Sequence, residues 1–178
     1  KGQYNDITPI FWASGACFFV RKRAYREVDG LDEIFFTHQE EIDLCWRLQL
    51  KGGTIKYFGK STVYHIGGAT LSSYNSKKTF YNFRNSLLML IKNVGSSKIY
   101  LLLIIRLILD GLAGLQFLIQ GKWKHCLAII KAHFSFYRLI PTYLKKRNNN
   151  KTQFKYYHIK SIVWNYFIRK NRTFKELK

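Results

Sequence analysis

The sequence predicts an α/β segment followed by a mostly α-helical, basic tail, and three observations predict it. Short apolar runs rich in aromatic and β-branched residues alternate with turn residues up to about residue 65. From Ser76 onward the apolar residues recur instead at helical spacing, in successive long runs. Charge is divided as unevenly: residues 1–50 hold six Lys/Arg against eight Asp/Glu, whereas residues 51–178 carry a net +22. The two parts therefore face different partners. Three stretches follow, 1–75, 76–144 and 145–178, in a chain of 178 residues whose 47% hydrophobic content supports one ordinary core.

In the first stretch, residues 8–13 and 16–20 read as strands meeting at Ser14-Gly15. Gly15 is either a plain turn glycine or a place where backbone approaches a ligand closely. Residues 21–28 form a short helix closed by Asp29-Gly30, and a loop over 31–39 brings Phe35-Phe36 under the next helix. That helix opens with His38-Gln39-Glu40-Glu41-Ile42-Asp43-Leu44-Cys45-Trp46-Arg47. Its apolar positions Ile42, Cys45, Trp46, Leu48 and Leu50 suit a mostly buried face, and Gly52-Gly53 stops it. Three carboxylates fall in its first turn. Acids there complement the helix dipole at about 0.3–1 kcal/mol each, and Asp43 with Arg47 has the spacing of an ordinary ion pair. The alternative is an acid/base site.

Residues 54–58 and 62–65 read as two strands joined by Gly59-Lys60-Ser61. His65 ends the second. A histidine there is ordinarily a satisfied surface or core residue; its functional alternative is a ligand for Mn²⁺ or Mg²⁺ beside carboxylate and phosphate oxygens. Gly67-Gly68 gives the following loop freedom to close.

In the tail, residues 76–93 form an amphipathic helix ended by Asn93-Val94-Gly95. Its Arg84 is expected to be exposed, with contact to a phosphate as the alternative. Ile99–Ile119 is the most apolar window, interrupted by Arg106, Asp110 and Gln116. Its fourteen Ile, Leu and Phe contribute roughly −4 to −8 kcal/mol towards insertion, and a central Arg and Asp cost about +5 to +7. The balance is near zero. The segment is therefore expected to be the first arm of a helical hairpin, buried or lying in a membrane interface, with a spanning helix second. Residues 121–124 turn the chain, and 126–140 form the second arm, stopped by Pro141. Residues 145–151 are a basic linker, and 156–178 a terminal amphipathic helix. Cys17, Cys45 and Cys126 lack metal or redox spacing and read as reduced core residues in a cytosolic setting.

Four pieces stand in a particular order: Ser14-Gly15-Ala16-Cys17-Phe18-Phe19-Val20-Arg21, Val28-Asp29-Gly30-Leu31-Asp32-Glu33-Ile34-Phe35-Phe36, the acidic run, and Val63-Tyr64-His65-Ile66-Gly67-Gly68. Over about residues 8–70 they resemble the C-terminal half of the catalytic domain of family 2 glycosyltransferases, inverting sugar-nucleotide enzymes of the GT-A fold, of the bacterial polysaccharide or rhamnosyl type. Leu31 replaces the usual Phe, and Glu41 stands where Asp is more usual. Beyond residue 70 the resemblance is weaker. It implies a partial GT-A, nucleotide-diphospho-sugar transferase-like fold over 1–75, with Glu41 as catalytic base, Glu40 and Asp43 as its acidic neighbours, Gly15 and Ala16 on the acceptor side, and His65 completing a divalent cation site.

The resemblance further implies a nucleotide-sugar donor, a glycan or lipid-linked acceptor and a Mn²⁺ or Mg²⁺ cofactor. The family carries its donor half and an Asp-x-Asp motif upstream of such a segment. No Asp-x-Asp occurs here, so the donor site is expected outside this chain, which alone is expected to be inactive. The basic, aromatic-rich tail is the electrostatic footprint of nucleic acid or of an anionic membrane surface, and with the resemblance the membrane is expected, at the cytoplasmic face, peripheral or with 99–119 spanning. Two readings without catalysis stay open, a membrane-anchoring module and a nucleic-acid-binding module. The second is disfavoured, because no helix-turn-helix, zinc or RNP-like signature is present and the acidic cluster repels phosphate.

Overall fold

The computed structural model describes residues 5–65, 75–147, 156–157, 159, 161–173 and 176. The elements run β1 (Ile7–Pro9), α1 (Lys22–Glu27), a 3₁₀ turn (Glu33–Phe35), α2 (Glu40–Leu50), β2 (Lys56–Phe58), α3 (Ser76–Asn93), α4 (Ile99–Ile119), α5 (Trp123–Lys146) and a π-helical turn (Trp164–Ile168). The chain is mostly helical with a small two-stranded sheet.

That sheet departs from expectation. β1 pairs antiparallel with β2 in the register Ile7↔Phe58, Thr8↔Tyr57 and Pro9↔Lys56, so residues 54–58 find their partner far back in the chain. Residues 16–20 and 62–65 are not strands. Pro9 has no amide hydrogen to give and sits where the ladder ends; Ile10 continues it by donating to the Ile55 carbonyl at 3.0 Å.

The helices follow their local signals more closely. Asn75 caps α3 by accepting from the Lys77 amide at 2.9 Å. α2 ends in a Schellman arrangement, with Gly52 at φ +84° donating to the Gln49 carbonyl and Gly53 donating to that of Leu48. A side chain at Gly53 would bring its Cβ to 2.8 Å from the Leu48 carbonyl oxygen. The dipeptide is thus required by the turn.

Pro141 does not stop the second arm: α5 runs through it to Lys146. Proline lacks the N–H that would bond to the Tyr137 carbonyl, but the last turn is held by side chains. Tyr143 is fully buried, Lys146 pairs with Asp32 at 3.0 Å, and Arg147 donates to the carbonyls of Ile91 and Ser96. The basic linker therefore starts later than residue 145. Phe35 packs under α2 as expected, whereas Phe36 is 73% exposed and lies against Tyr81. Cys17 is exposed and only Cys45 is buried. Of the proposed terminal helix the described part is a short turn with exposed Ile162, Trp164 and Phe167. Gly67-Gly68 lies outside the described residues.

One core joins both parts of the chain. Phe35, Trp46 and Leu50 meet Leu87, Leu88 and Ile91 of α3, Ile99 and Leu103 of α4, and Phe136 and Tyr143 of α5. Beside it Asp43, with no exposed surface, accepts from Arg47, from Lys92 Nζ at 2.9 Å and from Asn93 Nδ2 at 2.7 Å. Lys92 also pairs with Asp32 at 2.8 Å. Burial pushes the Asp32 carboxyl up, but Lys92 and Lys146 outweigh it and hold it below its ordinary value.

The sign for stability follows. Because the folded pKa of Asp32 is depressed, its contribution is complete above the unfolded carboxylate pKa of about 4 and is lost as pH falls through the folded value. Thermal unfolding should therefore show a loss of stability below about pH 4 that Asp32→Asn diminishes. Asp43→Asn, which leaves Lys92 and Arg47 short of a buried counter-charge, should cost about 3–5 kcal/mol in urea unfolding at neutral pH. A cost under about 1 kcal/mol would mean that this cluster behaves as a surface pair.

Candidate active site

The acidic turn is reached through a backbone of unusual shape. Phe36, His38 and Gln39 have φ of +60°, +66° and +74°, a region that side chains other than glycine occupy at a cost of about 1–3 kcal/mol each. What holds it is Asn85 on α3. Its buried amide nitrogen lies 2.9, 2.8 and 2.8 Å from the carbonyls of Phe35, Thr37 and His38. The carbonyl oxygen of the same amide accepts from Arg84 Nε at 2.9 Å. The loop before the acids is thus clamped by one side chain from another helix.

On the other side, residues 10–16 are drawn onto α2. Gln49 donates to the Phe11 carbonyl at 2.6 Å, and the Phe11 ring meets Trp46 edge-on at 5.3 Å. Cys17 donates to the Ser14 carbonyl, closing a tight turn with Gly15 and Ala16 at its corners. The Gly15 amide then faces Glu41 and donates to Oε1 over a long 3.5 Å. A Cβ on Gly15 would stand 3.6 Å from that oxygen, in ordinary van der Waals contact with it.

The three acids consequently have different surroundings. Asp43 is spent on Arg47, Lys92 and Asn93. Glu41 has one oxygen towards Gly15 and its Oε2 buried without a partner, and the same is true of Glu40 Oε2 and His38 Nε2. Buried polar atoms without partners are uncommon, and a catalytic role, a water or an ion is among the reasons for them. Burial, with the neighbouring Glu41 adding to it, raises the Glu40 pKa. Burial and Lys78 lower that of His38, partly opposed by Glu41. His38 thus joins the site, although the sequence alone did not single it out.

A cleft of about 1090 Å³ opens beside this turn, between residues 10–21, α2 and residues 52–63, with Ser14, Ala16, Cys17 and Cys45 in its wall. Glu41 and Cys45 lie one helical turn apart on the same face of α2. The Cys45 thiol is pushed up by burial and is no nucleophile at neutral pH. Of the remaining candidates, Arg84 is buried. It donates to the Ile34 carbonyl and to Asn85 and stacks over Phe80 and Tyr81 at 5.1 and 5.0 Å. The expected exposure is therefore corrected, and contact with a phosphate would require those bonds to open. His65 is exposed, and among the described residues no three His, Cys, Asp or Glu side chains gather to hold a metal. Asn85, Lys92 and Asn93 escaped the sequence reading. Their signal was there: Asn85 and Lys92 share the helix face of Leu88, where an unpaired polar group is not tolerated.

No protein-family model matches this chain, and no solved structure matches it. Curated proteins do. Over 57 residues, 32% of the chain, it is 39% identical to N-acetylglucosaminyl-diphospho-decaprenol L-rhamnosyltransferase of Mycobacterium tuberculosis. Over 83 residues, 47% of the chain, it is 30% identical to rhamnosyltransferase WbbL of Escherichia coli. Over 72 residues, 40% of the chain, it is 32% identical to the pre-mycofactocin glycosyltransferase of M. tuberculosis. The matched stretches span 19%, 31% and 15% of those proteins. These partial similarities support a relationship to glycosyltransferases.

Asn85→Ala should release the clamped loop. Stability should fall by about 1–3 kcal/mol, the cost of leaving buried carbonyls without a donor, and amide exchange should accelerate at residues 36–41 ahead of the core helices. Unchanged exchange there would show that the left-handed loop holds itself.

Proposed function

We propose that this chain is the acceptor-side part of an inverting, rhamnosyl-type glycosyltransferase of the GT-A kind, acting on a glycan or lipid-linked acceptor in cell-surface polysaccharide synthesis, with Glu41 as general base. The observation that carries the proposal is the division of labour within the acidic cluster. Asp43 is consumed by three donors, while Glu41 faces the Gly15–Ala16 turn beside the cleft with an oxygen left unpaired. The partial similarity to sugar transferases supports the same reading.

In this proposal an acceptor hydroxyl lies against the Gly15–Ala16 turn and gives its proton to the Glu41 carboxylate. Its oxygen bonds to the anomeric carbon of the donor from the face opposite the leaving group, and the bond to the nucleoside diphosphate breaks with its electron pair on the departing phosphate oxygen. Burial raises the pKa of Glu40 and lowers that of His38, and the two residues flank the base. The family's divalent cation, like its donor site, is not supplied by these residues. His65 is exposed and belongs to no group of three or more potential metal ligands among the described residues.

The test is Glu41→Gln in the full-length protein. The amide keeps the shape and the contact to Gly15 but takes no proton, so turnover should fall about 10²–10⁴-fold with donor and acceptor affinities near normal. Glu40→Gln should do less. A rate within a few-fold of wild type for Glu41→Gln would leave Glu41 as a helix-dipole acid, worth about 0.3–1 kcal/mol, and would remove the proposal.

A further inference from the structure

α4 and α5 form an antiparallel hairpin whose polar groups are turned inward. Asp110, 2% exposed, pairs with Arg106 at 2.8 Å and with His133 at 3.2 Å across the hairpin. Arg106 also donates to Ser86 on α3. Phe117 stacks on His125 at 5.0 Å, and Gly114 lies against Cys126 and Ile129. With its charges satisfied inside, the outward face of α4 is left as an apolar stripe of Leu101, Ile104, Ile108, Leu112, Leu115 and Ile119, all exposed.

α5 continues that surface with a second stripe, Trp123, Leu127, Ile130, Phe134, Tyr137 and Leu144, also exposed. Beside it runs a row with a strict period of seven: Lys124, Lys131, Arg138 and Lys145, every one exposed. The row lies on the flank of α5 away from Cys126 and His133, which face α4. Between residues 44 and 175 the only acid is the buried Asp110. The hairpin therefore presents two parallel apolar stripes bordered by a cationic edge, with no negative charge on the face.

We infer that this face docks on an anionic lipid bilayer with both helices lying flat in the interface, and that α4 does not span. α4 is long and apolar enough to cross a membrane, but it is tied to α5, whose basic row decides the orientation. From Lys124 to Lys145 that row covers about 32 Å along the helix, against a hydrocarbon thickness of about 30 Å. An upright hairpin carries Lys131 and Arg138 through the middle of the bilayer. A flat one keeps all four cations at headgroup level while the stripes enter the acyl boundary. A second copy of the chain on this face would set one basic row near another, and that like-charge repulsion favours lipid over self-association.

The test uses the protein with vesicles rich in phosphatidylglycerol and, in parallel, with phosphatidylcholine vesicles. Sedimentation with the anionic vesicles is expected, and it should weaken about a hundredfold or more in the combined variant Lys124→Gln, Lys131→Gln, Arg138→Gln, Lys145→Gln, since each basic residue near the surface contributes several-fold. These side chains are exposed, and circular dichroism checks that the variant stays folded. For orientation, nitroxides at Leu101→Cys, Ile108→Cys and Leu115→Cys, with Cys17 and Cys126 replaced, should report similar shallow depths by power saturation. Three results would overturn the inference: equal binding of the variant, Ile108 much deeper than the two ends, or a lipid-free oligomer that covers the hairpin and ignores vesicles.

Discussion

A carboxylate with no exposed surface must be surrounded by donors, because an unpaired buried charge costs several kcal/mol. Asp43 meets that condition by recruiting Arg47 from its own helix and Lys92 and Asn93 from the last turn of α3. Arg47 reaches on to the carbonyls of Val28 and Gly30, and Lys92 to Asp32, which in turn holds Lys146 at the end of α5. One anion thus fixes the acidic helix against α3 and the loop after α1 and, through Lys92 and Asp32, against the end of α5. Moving α2 would take the Asp43 carboxylate away from Lys92 and Asn93 and pull Arg47 off the Val28 and Gly30 carbonyls.

The same device appears at the other end of the molecule. Asp110 joins Arg106 and His133 and staples α4 to α5. In each case a buried acid gathers the polar groups of its neighbourhood and frees another surface from them. At α2 the freed part is the first turn, where Glu41 turns one oxygen to Gly15 and keeps the other unpaired. At the hairpin it is the apolar face that borders the basic row. Position, more than residue type, separates a structural carboxylate from one available to chemistry: Glu41 and Asp43 are two residues apart and point to different faces of one helix.

How legible this was in the sequence depends on how local each determinant is. α3 and α4 were legible to the residue, because periodic apolar positions and local stop signals define them. α5 overran Pro141 because Tyr143, Lys146 and Arg147 hold the turn beyond it through contacts with distant residues. The β1–β2 pairing joins residues 7 and 58, and nothing in either stretch names the other. The acidic cluster was conspicuous, yet the separate fates of its members were not, since they rest on Lys92 and Asn93 some fifty residues later. The clamp by Asn85 was hidden for the same reason, although a polar residue on the face of Leu88 was a sign that something there needed a donor.

The central claim is that Asp43 and Lys92 are coupled across the core, leaving Glu41 out of the network. A double-mutant cycle of Asp43→Asn and Lys92→Met, read by urea unfolding, measures that coupling directly. The account expects an interaction energy of about 1–3 kcal/mol between the two positions, and close to none when Glu41→Gln replaces Asp43→Asn in the cycle. Additivity within about 0.3–0.5 kcal/mol for Asp43 and Lys92, or a coupling of Glu41 to Lys92 as large as that of Asp43, would contradict it.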